Sequence, residues 1–195
     1  MFVMTVDQRD SRRGPDLVAG LLSRLGGRRP GLVRGFERTA GDEVQGMLNS
    51  ADLVVDLVLG LAREGSWSVG VGVGPAREPI PDSVRAGAGP AFEHARRAVE
   101  RAKSVGPHVA VEGERAGPAG DAEALLRLLA ALVQRRTPAG WEVVDLLVGT
   151  STQREVAVRL GISPQAVSQR ARAAWWQHEH DLRPLAGRIL EEAGL

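Results

Sequence analysis

TAGDEVQGML, residues 39–48, sets Gly41 and an acidic pair, Asp42 and Glu43, between two apolar-patterned runs. Two such runs separated by a short glycine-containing stretch predict a β-hairpin with a carboxylate at its tip. The strands would be GLVRGFER (31–38) and EVQGML (43–48). Asp42 is then either an ordinary turn residue or one member of a ligand set. The strand lying beside the hairpin decides between them.

FVMTV (2–6) is apolar on both faces, as a central strand must be, and ends at Asp7. LVAGLLSRL (17–25) places Leu17, Leu21 and Leu25 on one helical face and stops at Gly26 and Gly27. ADLVVDLVLGLARE (51–64) is an apolar helix behind Ser50, a good N-cap. SWSVGVGVG (66–74) alternates valine with glycine, a strand with one face bare of side chains. GPAFEHARRAVERAK (89–103) is an amphipathic helix, and HVAVEG (108–113) a last strand.

The order β-α-β-β-α-β-α-β opens with the ferredoxin-like unit. In that topology the third strand runs antiparallel beside the first, which makes Asp42 a neighbour of Asp7. The expected fold class is α+β. A ferredoxin-like domain fills residues 1–115, GERAGPAGD (113–121) is a small-residue linker, and residues 121–195 form a small all-α domain.

Zero cysteines exclude disulfides, thiolate chemistry and cysteine-ligated zinc. No GxxxxGKS loop exists, and GVGVG ends a strand instead of opening a helix, so neither nucleotide fingerprint is present. No run reaches the length of a membrane span and the N-terminus lacks signal-peptide features, so a cytoplasmic protein without a membrane partner is expected. Net charge is +1, but residues 127–172 hold seven arginines against Glu142, Asp145 and Glu155. A basic segment inside a neutral chain points to a local anionic partner.

That segment contains TQREVAVRLGISPQAVSQRARAAWW, starting at Thr152. Thr152 with Glu155 is a capping box, Gly161 supplies a tight turn, and Ser163 with Pro164 starts a second helix. Val156, Leu160, Ile162 and Val167 supply a shared core, and Trp175 and Trp176 are expected to close it. The SPQAVSQRARAA portion resembles the recognition helix of sigma-factor region 4 and related bacterial regulators. The resemblance implies a helix-turn-helix on double-stranded DNA, with Ser163, Gln165, Ala166 and Gln169 toward base edges and Arg170 and Arg172 on bases or phosphates.

The N-terminal pattern has its own resemblance. A strand ending TVD (5–7), a GD hairpin (41–42), the VGVGVG strand (69–74) and GPAFEHARR (89–97) are similar to the class III nucleotide cyclase homology domain over roughly residues 1–113. The DQRDSRR opening and the fused helix-turn-helix resemble small bacterial proteins of the SatD family. The cyclase resemblance implies metal ligation by Asp7 and Asp42 and nucleotide contacts from Asp7, Asp42, Glu43 and Arg97, with Mg²⁺ accompanying the nucleotide. It also implies a homodimer, for which the helices at 51–64 and 121–136 are either the interface or buried core.

Two positions depart from the cyclase pattern. Glu93 stands where an asparagine orients the ribose, and Lys103 does not stand where a base-reading lysine is expected. The reading is therefore a DNA-binding transcriptional regulator whose cyclase-like domain dimerises and senses a nucleotide, with no catalytic residue assigned. The alternative is a nucleotide cyclase or other metal-dependent phosphoryl-transfer enzyme carrying a DNA-targeting domain.

Overall fold

The structure is a computed structural model that describes residues 1–149 and 152–194. It is a mixed α+β fold around one five-stranded sheet. The chain runs β1 (Phe2–Gln8), α1 (Val18–Leu25), β2 (Leu32–Arg38), β3 (Glu43–Leu48), α2 (Ala51–Glu64), β4 (Trp67–Val73), α3 (Pro90–Lys103), β5 (Val109–Glu112), α4 (Ala116–Gln134), α5 (Pro138–Val148), α6 (Gln153–Leu160), α7 (Pro164–Ala173) and α8 (Trp176–Glu192). None of the helices is long and apolar enough to cross a membrane among the described residues.

The strand order is β2-β3-β1-β4-β5, antiparallel except for the β4–β5 pair. Alternation along β1 sends Phe2, Met4 and Val6 into a core with α1, α2, α4 and α8, and sends Val3, Thr5 and Asp7 toward α3. The glycines of β4 fix how closely α3 lies. A Cβ on Gly70 would stand 2.2 Å from the Val99 nitrogen, and one on Gly72 2.1 Å from the Ala91 carbonyl. The bare face of the strand is therefore filled by helix backbone.

The stretch 113–121 is not a linker. Helix α4 starts at Ala116, and Pro118 falls in its first turn, where a missing N–H costs nothing. Ala119, Ala122, Leu126, Leu129, Ala130 and Val133 of α4 share one core with the sheet, as do Ala186, Leu190 and Ala193 of α8. Both ends of the region expected to form a separate domain thus belong to the sheet body. Among the described residues of that region, only α5–α7 keep a core of their own, built on Val143, Val156, Ala157, Val167 and Ala171. The same packing buries apolar faces of α2 and α4 against each other within one chain, as core.

Candidate functional site

The hairpin tip is a closed turn. Thr39 N donates to the Glu43 carbonyl at 3.0 Å, and Glu43 N to Ala40 at 2.9 Å, closing a turn in which Gly41 takes φ 55°. Register pairs Asp7 with Glu43, and Gln8 N donates to the Asp42 carbonyl at 3.2 Å. Asp7 and Asp42 line one open cleft of about 790 Å³, with Gln8, Asp10, Arg12, Arg13, Asp16 and Lys103 among its other walls. The topology expected from sequence does bring the two aspartates together.

The loop over the cleft is held from beneath. Gln8, buried, donates from Nε2 to the Pro15 carbonyl and accepts from Leu17 N at Oε1, both at 2.8 Å. Asp16 accepts from Arg38 at 2.6 and 2.8 Å and from Val18 N at 2.9 Å, and these hydrogen bonds, Arg38 first, hold its carboxyl below the usual aspartate value. Arg9 reaches across to the Gly65 carbonyl at 2.8 Å. The side chains of Arg12 and Arg13 are exposed and have no hydrogen-bond or ion-pair partner among the described residues. They are the guanidiniums left for a ligand.

Lys103 is the residue that sequence reasoning set aside. Its Nζ lies 3.1 Å from Asp7 Oδ2 and 2.8 Å from Glu100 Oε1. Burial raises the Asp7 carboxyl above its usual value, opposed by the Lys103 hydrogen bond and charge and reinforced by Asp42 and Glu43. For Lys103, burial is the largest cause and acts downward, but hydrogen bonds and charge from Glu100 and Asp7 together leave the ammonium above its usual value. The lysine of the pair therefore holds its proton firmly in the cleft.

Other expected contacts scatter. Glu43 accepts from Thr39 Oγ1 and lines a second hollow of about 460 Å³ with Gln45, Phe92, Glu93 and Arg96 on the same side of the sheet. Arg97 does not reach the aspartates. It is spent on Glu112 at 2.7 Å, beside Arg101, which bridges Glu112 and Glu123.

The residues do not fit the metal pair implied by the cyclase resemblance. Asp7 already holds an ammonium, Asp42 adds one carboxylate, and no group of three or more His, Asp or Glu side chains able to hold a metal ion occurs among the described residues. A dication about 4 Å from the ammonium would be repelled by about 8 kcal/mol at an effective dielectric near 20. Metal and Lys103 compete for one carboxylate.

The second candidate surface is on α7. The capping box is formed, with Thr152 N donating to Glu155 Oε2 at 2.8 Å and Glu155 N to Thr152 Oγ1 at 3.2 Å. Gly161 turns the chain at φ 64°, and Ser163 Oγ accepts from Ala166 N at 3.1 Å. At about 100° per residue, Gln165, Gln169 and Arg172 fall opposite the buried Val167 and Ala171. All three are exposed, and the Arg172 side chain has no partner among the described residues. Ala166 and Arg170 lie on the flank. Arg170 is paired with Glu142 of α5 at 3.0 Å, so its charge is already engaged.

Trp175 and Trp176 do not close the small core. Trp175 is 53% exposed with φ 53°, its ring 5.1 Å from His178, and Trp176 lies against His180. What sequence reading passed over is Glu179 between those histidines. It is fully buried and paired with Arg136 and Arg183.

Comparison with protein-family models, with curated proteins and with solved structures gives no match for this chain.

Proposed function

We propose that the protein is a sequence-specific DNA-binding transcriptional regulator. In this reading α6 and α7 form a helix-turn-helix, α7 enters the major groove, and the Asp7–Asp42 cleft is a sensing site for a nucleotide. The observation that carries it is the exposed face of α7, where Gln165, Gln169 and the unpartnered Arg172 stand opposite the buried stripe. Glutamine and arginine read adenine and guanine edges by paired hydrogen bonds. Arg154 and Arg159 on α6 are exposed and can meet phosphates, Arg159 from beside Glu155, whose carboxyl its charge helps to lower.

The antiparallel order β4-β1-β3-β2 supports the ferredoxin-like, cyclase-like account of the sheet body. A homodimer would set two α7 helices on half-sites about 34 Å apart. A route between the two sites is also available. Arg9 of the cleft loop holds Gly65, and Arg63, two residues before it, holds Asp145 of α5 at 2.7 and 2.8 Å and stacks on Trp141. A ligand shifts DNA affinity only by favouring one arrangement of these elements over another.

Selection of duplexes from a random pool by the purified full chain, followed by anisotropy titration, tests the reading. Recovery of a consensus supports it, and uniform weak binding opposes it. The adjacency of Asp7 and Asp42 favours one rival, a metal-dependent phosphoryl-transfer or cyclase-type enzyme recruited to DNA. ATP or GTP turnover with Mg²⁺ or Mn²⁺, lost in Asp42→Ala, would establish that rival.

A further inference from the structure

The side chain that stands in the way of metal at Asp7 is the only lysine in the chain, among basic residues that are otherwise all arginine. An ammonium is a compact, strongly hydrated point charge on a flexible stem, closer in form to a small cation than a planar guanidinium is. It reaches Asp7 because Gly70 and Gly72 let α3 lie directly on β4, which brings the last residue of that helix to the end of β1. Glu100, one helical turn earlier, steers the ammonium from the other side at 2.8 Å.

We propose that Lys103 is a tethered replacement for a divalent cation. Its ammonium neutralises Asp7 in the place a metal ion would take, so the cleft binds a phosphorylated ligand without a divalent cation, and removal of the side chain opens a divalent-cation site. The phosphorylated ligand rests on the sensing-site reading above. The replacement of the cation does not.

Charge around the cleft points the same way. Asp16 is neutralised by Arg38, which leaves Asp7, Asp10 and Asp42 facing Lys103, Arg12 and Arg13. With Glu100 on the same ammonium the carboxylates outnumber the cations by one, and the unpartnered Arg12 and Arg13 side chains are left for a phosphate of low charge. A mononucleotide suits this balance better than a metal-free triphosphate, whose further charges would meet Asp7, Asp10 and Asp42. Without Lys103, two adjacent carboxylates remain, which is a common protein contribution to a hydrated divalent ion.

The test is Mn²⁺ binding to the full chain, read by the spectroscopic signal of the free ion, for the wild type, Lys103→Met and Lys103→Met/Asp7→Asn. We expect Lys103→Met to bind Mn²⁺ at least tenfold more tightly than the wild type, and the added Asp7→Asn to abolish the gain. Equal affinity in wild type and Lys103→Met, or no binding in either, overturns the proposal. Calorimetry of the wild type with AMP and GMP then compares EDTA with Mg²⁺. Equal binding in both supports metal-independent capture, and binding only with Mg²⁺ overturns it. Binding of neither nucleotide defeats the sensing-site reading, while the Mn²⁺ comparison still decides the role of Lys103.

Discussion

Arg136 and Glu179, both fully buried, form an ion pair that ties the α4–α5 junction to the first turn of α8. Arg136 also donates to the carbonyl of Ala174, the residue that caps α7, at 3.0 and 3.2 Å. Glu179 receives a second arginine, Arg183, which reaches Asp56 of α2 at 2.5 Å. The base of the α7 helix is therefore held to the sheet body by buried charge.

Removing Glu179 strands Arg136 in the interior, and removing Arg136 leaves the buried Glu179 with Arg183 alone. Arg136→Ala or Glu179→Ala is expected to cost about 3–5 kcal/mol, whereas the double change Arg136→Met/Glu179→Leu should cost less because no charge is left alone. Chemical denaturation of the four proteins checks this. Equal losses for the single and double variants would contradict it.

Gly72→Ala is expected to cost about 1–3 kcal/mol, because its Cβ would stand 2.1 Å from backbone of α3 and the helix must move. The displacement also withdraws Lys103 from Asp7. Denaturant unfolding reports the first effect, and a chemical-shift change at the Lys103 ammonium the second.

How much of this was legible depends on how local each signal was. Ser50, Thr152 and Ser163 cap helices where the sequence places them, because a cap is a contact within one turn. The Asp7–Asp42 meeting was legible because strand order alone produces it. The opening of α4 was not, since Gly117, Pro118 and Gly120 have loop propensities that packing of Ala119 and Ala122 on the sheet overrides. Lys103 was missed because its contact with Asp7 depends on how close α3 approaches β4. The glycines that permit that approach were visible, but not what would fill the space. Arg97 was misplaced for the converse reason, a nearer carboxylate on β5.

Thr152→Ala is expected to cost about 1 kcal/mol of stability in the α5–α7 unit and to weaken DNA binding with it. Hydrogen bonds from Thr152, backbone first, lower the Glu155 carboxyl below its usual value. The native state thus binds fewer protons than the unfolded chain, so this contribution is present above the usual glutamate value and is lost as pH falls through the lowered one. Glu155→Gln should flatten that pH dependence. Thermal unfolding across acid pH measures both.

Asp7 has the opposite sign. Its raised carboxyl keeps a proton in the folded chain at a pH where the unfolded chain has released one, so its contribution falls as pH rises from the usual aspartate value to the raised one. Asp7→Asn is expected to remove that slope. An unchanged stability profile between wild type and variant would contradict the burial of this carboxylate.

The most direct measurement is anisotropy of the full chain on its selected duplex across a KCl series, repeated for Arg172→Ala, Gln169→Ala and Arg170→Ala. We expect Gln169→Ala to lose about 1–3 kcal/mol at one base position. For Arg172→Ala we expect weaker binding and, if it meets a phosphate, a salt slope lower by about one. Arg170→Ala, already paired with Glu142, should do less than Arg172→Ala. Affinity and salt slope unchanged in Gln169→Ala and Arg172→Ala would contradict the placement of α7 in the major groove.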